Sequence, residues 1–226
     1  MDNAVFLPGF ALNKSMYTRL DVFKGSVGID IIPNSSWNET LDDIARTIPA
    51  KSLVIGYSMG ARLALGLALE RPETTEALIL ISGHAGLADD KEREERIEAD
   101  TKLSKKFKTD SEGTFKSFDT NPIFDDTEGP KNQISDRIND VDLISNQLDI
   151  MGLGKMPNYE ERLIELRIPV LYLSGSRDLK YTQLNARYKK KTPFSHHRVL
   201  DSDHRLVQNN PMGIDLNIKW FAENFY

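Results

Sequence analysis

The sequence predicts an α/β fold: a six-stranded, mostly parallel sheet flanked by helices, with a helical cap inserted within it. Three observations predict this. Short apolar runs bounded by turn residues alternate with segments of helical spacing, the pattern of a parallel sheet covered on both faces. One such run, Leu53-Val54-Ile55, leads through Gly56-Tyr57-Ser58-Met59-Gly60 into an apolar helical stretch from Ala61 to Leu69. A charged, helical region from about Gly86 to Asn158 breaks the alternation between two strands. The chain is therefore expected to be a single domain over 1–226, with a cap at 86–158 over the strand ends.

Taken in order, Ala4-Val5-Phe6-Leu7 is expected as a strand ending at Pro8-Gly9, followed by a helix from about Lys14 to Phe23. Val27 to Ile32 reads as the second strand, closed by Pro33-Asn34. Thr40 to Ile48 carries Leu41, Ile44, Ala45 and Ile48 at helical spacing. Ser52 to Ile55 is the third strand. The helix after Ser58 is apolar nearly all round, as expected of a helix buried against a sheet. Ala77 to Ser82, Val170 to Leu173 and His197 to Leu200 are the remaining strands, and a helix from about Gly213 to Asn224 closes the chain. Within the cap, helical patterns cover Asp89 to Phe107 and Asn132 to Met151. Between them lie Phe115, Phe118 and Phe124, which either line a pocket or pack the cap on the core. Gly113 and Gly129-Pro130 read as turns.

Composition excludes several classes of function. The net charge of −5 argues against a nucleic-acid surface, and the run Arg187-Tyr188-Lys189-Lys190-Lys191 reads as a solvated helix end. With no cysteine, disulfides, thiolate metal sites and cysteine nucleophiles are excluded. No apolar stretch approaches the length of a membrane span, and the start of the sequence lacks the features of a signal peptide. A cytoplasmic protein without metal or cofactor is expected, a monomer or small homo-oligomer acting on a small molecule.

The chemistry centres on Ser58. A serine between glycines at this spacing suits a sharp strand-to-helix turn, where Cβ atoms at the glycine positions would crowd the backbone and the hydroxyl is held at a helix N-terminus. A serine hydroxyl needs an adjacent base, and the base an orienting carboxylate. Of the four histidines, His204 follows the last strand and is the expected base; His196 and His197 open that strand and should lie at its far end. His84 is expected at the site rim or as a turn residue. Asp178 follows the fifth strand, in the expected chain order, and is preferred as the acid over Asp201 and Asp203. The oxyanion hole requires two backbone N–H groups, expected from Met59 and Phe10, since Pro8 has none. Arg62 lies four residues beyond Ser58 and so shares its helix face. A guanidinium there either grips a substrate carboxylate or forms an ion pair with a core acid. Arg93, Arg96 and Arg137 are further arginines in the cap.

Together these residues resemble the α/β-hydrolases, and within them the family of 2-succinyl-6-hydroxy-2,4-cyclohexadiene-1-carboxylate synthase (MenH). The resemblance is carried by Phe6-Leu7-Pro8-Gly9-Phe10, by Gly56 to Arg62, by Ser82-Gly83-His84-Ala85-Gly86-Leu87 and by Glu92-Arg93 with Arg96 and Asp100. It continues through Asn121-Pro122-Ile123-Phe124, Gly152-Leu153-Gly154 and Gly175 to Tyr181, and so covers most of the chain. It implies a lyase that removes a proton from a cyclohexene substrate bearing several carboxylates and eliminates pyruvate, with the serine as base. By position it implies the triad Ser58, Asp178 and His204, with Tyr57, Arg62, Arg96, Arg137 and Phe118 binding substrate. Pro8-Gly9 replaces the family's usual His-Gly, and Pro33-Asn34-Ser35-Ser36-Trp37-Asn38 its usual Pro-Gly-His-Gly-x-Ser. The usual hairpin before the first strand is not expected either. These departures spare the triad and fall largely in loops, where this fold changes its chemistry. A carboxylesterase or thioesterase working through an acyl-serine uses the same residues and is the alternative; a non-catalytic binding protein is the third reading.

Overall fold

The structure is a computed structural model that describes residues 3–121, 123–124 and 136–226. Among these, six strands form one sheet in the order β2-β1-β3-β4-β5-β6, and every pairing is parallel. The strands are β1 (Ala4–Leu7), β2 (Val27–Gly28), β3 (Ser52–Tyr57), β4 (Thr75–Ile81), β5 (Val170–Gly175) and β6 (Ser195–Leu200). The central four are buried almost throughout, as sheets covered on both faces require. The chain places β2 on one side of β1 and β3 on the other. The winding therefore reverses between β1 and β3, which opens a crevice at their carboxyl ends.

Helices α1 (Trp37–Thr47), α2 (Met59–Glu70) and α6 (Leu179–Lys191) contribute to the core on one face. The short α7 (Leu206–Asn209) and the closing α8 (Pro211–Phe225) contribute to the core on the other. From Met59 to Ala68 every residue of α2 is buried. At roughly 2 kcal/mol for each fully buried leucine, this helix anchors the serine turn that precedes it. Among the described residues no helix is long and apolar enough to cross a membrane.

Several elements differ from the sequence expectation. The helix expected over Lys14 to Phe23 is two 3₁₀ segments, Lys14–Arg19 and Asp21–Phe23, broken at the extended Leu20. The Asp215 carboxylate of α8 accepts the Asp21 and Val22 N–H groups at 2.9 and 3.1 Å, and Leu20 is buried in the core. These tertiary contacts outweigh local helical spacing. The second strand is only two residues long, because the chain leaves the sheet edge after Ile29 N–H reaches the Phe6 carbonyl. Beyond it, Ile31 gives its carbonyl to Gln147. Helix α1 starts at Trp37, earlier than its apolar spacing suggests, because Ser36 caps it through the Glu39 N–H.

Between β4 and β5 lie α3 (Asp90–Thr109), α4 (Ser111–Asp119) and α5 (Val141–Met151). The segment around Phe115 and Phe118 is helical, and Gly113 lies inside that helix rather than in a turn, with its N–H on the Asp110 cap. The expected turn at Gly129-Pro130, and residues 132–135 of the expected Asn132 to Met151 helix, lie outside the described residues. Arg137, which falls within the expected Asn132 to Met151 helix, instead precedes α5 and forms an isolated antiparallel bridge with Leu12. Ala11, Phe107, Ile138, Ile144 and Leu148 form a third apolar cluster, against which Phe10 and Phe115 pack. The inserted helices thus rest on the loop that follows β1.

Candidate active site

Ser58 sits between β3 and α2 with φ 53° and ψ −106°, a strained conformation for a residue with a side chain. Its neighbours explain how the turn is tolerated. A Cβ on Gly56 would lie 2.3 Å from the Gly60 carbonyl oxygen, and one on Gly60 would lie 2.1 Å from the Leu7 carbonyl oxygen. Only glycines let the three backbone segments pass this closely. The turn starts α2 immediately after the serine. The first intrahelical bond runs from Arg62 N–H to the Ser58 carbonyl, so the Met59 N–H has no acceptor within the helix.

His204 follows β6 and Asp178 follows β5, so both reach the same sheet edge as Ser58. His204 Nε2 is 3.1 Å from Ser58 Oγ, and Nδ1 is 2.6 Å from Asp178 Oδ2. Both His204 and Asp178 are buried. An ionised carboxylate only accepts, so Nδ1 carries the proton and Nε2 is left as acceptor for the serine hydroxyl. The two loops meet because Gly175 leaves no side chain between them: a Cβ there would lie 2.2 Å from the Asp203 carbonyl oxygen. The rival acids are engaged elsewhere. Asp201 pairs with Arg177 at 2.6 Å, and Asp203 accepts from Arg205 N–H and Asn209.

The other histidines stand apart from this chain of hydrogen bonds. His196 and His197 lie at the start of β6, where His197 Nε2 is 2.9 Å from Ser174 Oγ. His84 is buried and does not line the pocket; its Nδ1 accepts the Gly86 N–H at 3.0 Å, as a turn residue would. Burial, with nearby Lys180 and Arg62, pushes its pKa down to about 3.

A pocket of about 220 Å³ opens over Ser58. Phe10, Tyr57, Met59, Arg62, Arg96, Phe118 and Arg137, singled out in the sequence, all line it, beside Ser58 and His204. The loop carrying Phe10 is held by Gln147 of α5, whose Oε1 accepts the Ala11 N–H at 2.9 Å while its Nε2 donates to the Ile31 carbonyl. Burial raises the pKa of Tyr57 and of Tyr181, so both phenols stay neutral at ordinary pH.

Arg62 is buried on α2 and donates to the Met151 carbonyl at 2.8 Å, at the C-terminus of α5, where the helix dipole favours a cation. Among the described residues it forms no ion pair, so the alternative of a core salt bridge does not hold. Burial, and secondly Arg96, lower its pKa to about 10, which leaves it charged at neutral pH. Arg96 pairs with the buried Asp100 through both carboxylate oxygens at 2.9 Å. Arg137 pairs with Asp119 at 2.5 Å and lies 4.4 Å over the Phe115 ring.

Sequence reasoning did not single out Tyr181, Arg205 or Gln208 among the residues that line the pocket. The Tyr181 ring lies 4.6 Å from that of His204 and is tilted 56° to it, and Phe124, for which the sequence had left a pocket role open, lies 5.9 Å from His204. Arg205 and Gln208 follow His204 and also line the pocket. Spacing offered a signal only for Tyr181, one turn into the helix that Asp178 caps. The phenylalanines serve both expected ends: Phe107 packs the inserted helices, Phe118 and Phe124 line the pocket, and Phe115 does both. Among the described residues no group of three or more His, Asp or Glu side chains is placed to hold a metal ion.

No family model matches the chain. A Bacillus subtilis protein provisionally assigned as a 2-succinyl-6-hydroxy-2,4-cyclohexadiene-1-carboxylate synthase is 35% identical over 152 residues. That match covers 64% of this chain and 56% of the relative, so the chain spans a little over half of the relative's length. The solved structure of MenH from S. aureus superposes with a TM-score of 0.88 at 22% identity, covering 97% of this chain and 92% of that one. A thermophilic esterase from Thermogutta terrifontis, solved with malate bound, superposes with a TM-score of 0.77 at 15% identity, covering 97% and 89%. The fold is that of the α/β-hydrolases, and the sequence is similar to the named synthase.

Proposed function

We propose that this chain, an α/β-hydrolase-fold protein similar to 2-succinyl-6-hydroxy-2,4-cyclohexadiene-1-carboxylate synthases, is a lyase that eliminates pyruvate from a carboxylate-bearing cyclohexene substrate. Ser58, His204 and Asp178 are its catalytic residues, and residues 86–158 act as a cap over them within one domain. The observation that carries the reading is Arg62: a buried, charged guanidinium beside Ser58 that no carboxylate of the described protein neutralises. A buried cation held only by a carbonyl lacks a counter-ion, and a substrate carboxylate supplies one. Arg96 and Arg137 line the same pocket, each paired with a carboxylate of the chain.

In this reading His204 Nε2 takes the Ser58 proton, and Ser58 Oγ takes a proton from a ring carbon. The electron pair of that C–H bond moves through the ring and breaks the C–O bond to the departing pyruvate. The N–H groups of Phe10 and Met59 hold the negative charge that develops on a substrate oxygen, and Asp178 stabilises the imidazolium. The leaving group departs as the enolate of pyruvate and takes up a proton at its methylene carbon, while the proton removed from the ring passes out through Ser58 and His204, so the elimination gains and loses no net proton.

The apolar lining of Phe115, Phe118 and Phe124 supports a second reading, ester hydrolysis through an acyl-serine. The deciding experiment is pyruvate release from the cyclohexene substrate, set beside p-nitrophenyl butyrate turnover and fluorophosphonate labelling. The lyase reading expects pyruvate, lost in Ser58→Ala and cut strongly in Arg62→Ala. Ester turnover with an acyl burst, no pyruvate, and indifference to Arg62→Ala would establish the esterase instead.

A further inference from the structure

We infer that Arg205, the residue directly after His204, is a substrate-contact residue, and that with Gln208 it recognises a hydroxycarboxylate portion of the ligand. The inference rests on the reading that this pocket takes a carboxylate-bearing substrate, and it adds residues which that reading does not include.

Asp119, the last residue of α4, lies between two guanidinium groups. Its Oδ1 accepts from Arg205 at 2.8 Å and its Oδ2 from Arg137 at 2.5 Å. One carboxylate between two guanidinium groups leaves a positive charge in excess. Each guanidinium also lies on an aromatic ring, Arg205 on Phe124 at 4.1 Å and Arg137 on Phe115 at 4.4 Å. Contact with a ring restricts each guanidinium, which has five N–H donors in a rigid fork. Asp119 engages only part of the Arg205 fork, whose side chain is 16% exposed and lines the pocket. A flat cation already oriented and partly stripped of water is suited to a second carboxylate.

Gln208 supplies the second, independent observation. It stands three residues after Arg205, lines the same pocket, and has a buried Oε1 without a hydrogen-bond partner among the described residues. A buried acceptor left unpaired costs stability and calls for a donor from the ligand. A carboxylate cannot donate, but a neighbouring hydroxyl can. A hydroxycarboxylate meets both residues, with its carboxylate on Arg205 and its hydroxyl donating to Gln208. Asp119 acts as a positioning residue that sets the Arg205 fork.

Malate and succinate differ by one hydroxyl, so calorimetric titration of the full chain with each tests the assignment directly. Malate should bind the wild type about 3- to 10-fold more tightly than succinate, the range of one neutral hydrogen bond. Arg205→Gln should weaken malate about 10- to 100-fold, as expected for a charge-assisted contact, with Arg205→Lys recovering part of the loss. Gln208→Leu should bring malate down to the succinate value. The wild-type preference needs no variant, so a misfolded substitution does not shelter the inference. Equal binding of the two anions, no binding of either, or Arg205→Gln binding malate like the wild type would each overturn it. The lyase reading fails separately: malate binding that depends on Arg205 in a protein releasing no pyruvate leaves this inference standing. Pyruvate release with the wild-type KM in Arg205→Gln removes it and keeps the lyase.

Discussion

The Gly60 backbone passes so close to Leu7 that a Cβ would lie 2.1 Å from the Leu7 carbonyl oxygen. This contact joins the start of α2 to the end of β1. It thereby sets the Met59 N–H beside the loop that carries Phe10, at the crevice where the sheet reverses its winding.

Gly60→Ala is therefore expected to destabilise the chain by about 2–4 kcal/mol, because the obstruction is backbone and cannot swing aside. Urea unfolding measures the loss. The kcat of pyruvate release should fall with it even where the variant is folded, since the Phe10 and Met59 N–H groups would move apart. A variant with wild-type stability would show that the backbones can part at little cost.

Asp178→Asn tests the hydrogen-bond chain. An amide in place of the carboxylate can donate to Nδ1 and so favour the tautomer with its proton on Nε2, which can no longer accept from Ser58. A loss of about 100- to 10,000-fold in kcat is expected, with much less change in KM. Steady-state kinetics of pyruvate release decide it. The Asp201→Asn variant, whose carboxylate pairs with Arg177 at the surface, is the comparison.

Gln147→Leu removes both hydrogen bonds that tie α5 to the first loop. It leaves the Ala11 N–H and the Ile31 carbonyl without their buried partner. At roughly 1–3 kcal/mol for each unsatisfied group, a loss of about 2–4 kcal/mol is expected by chemical denaturation. Because Ala11 holds a positive φ of 55° next to Phe10, kcat should fall as well, by about 10-fold or more.

His84 makes stability depend on pH. Its folded pKa is lowered to about 3 from an ordinary 6.5, first by burial and then by Lys180. The unfolded chain therefore binds a proton that the folded chain refuses. Stability is retained above about pH 6.5 and falls as the pH drops toward 3, by up to about 1.4 kcal/mol per pH unit. Urea midpoints at pH 7, 6 and 5 should decline more steeply in the wild type than in His84→Gln. Parallel slopes would show that His84 titrates alike in both states.

The order of strands and helices, the serine turn and the residues Ser58, Asp178 and His204 were legible in the sequence because each is a local signal. Apolar period, glycine spacing and position after a strand are read within a few residues. The length of the second strand, the break at Leu20 and the helical state of the Phe115 segment were not. The first two turn on distant groups: the chain leaves the edge strand toward Gln147, and the break is held by Asp215. The third rests on the local Asp110 cap, which its scattered phenylalanines obscured.

Spacing also placed Arg62 toward the pocket, but could not supply its partner. The Met151 carbonyl, 89 residues away, takes that role instead of a core acid. Asp119 likewise meets Arg205 across 86 residues, and Gln147 meets Ala11 across 136. Periodicity assigns a residue to a face because the backbone repeats; it carries no information about which distant side chain arrives there. Local patterning was enough to specify the central strands, the serine turn and the hydrogen-bonding trio. The tertiary structure alone decided which arginines are neutralised and which are left to meet a ligand, because that balance is set by packing between elements far apart in the chain.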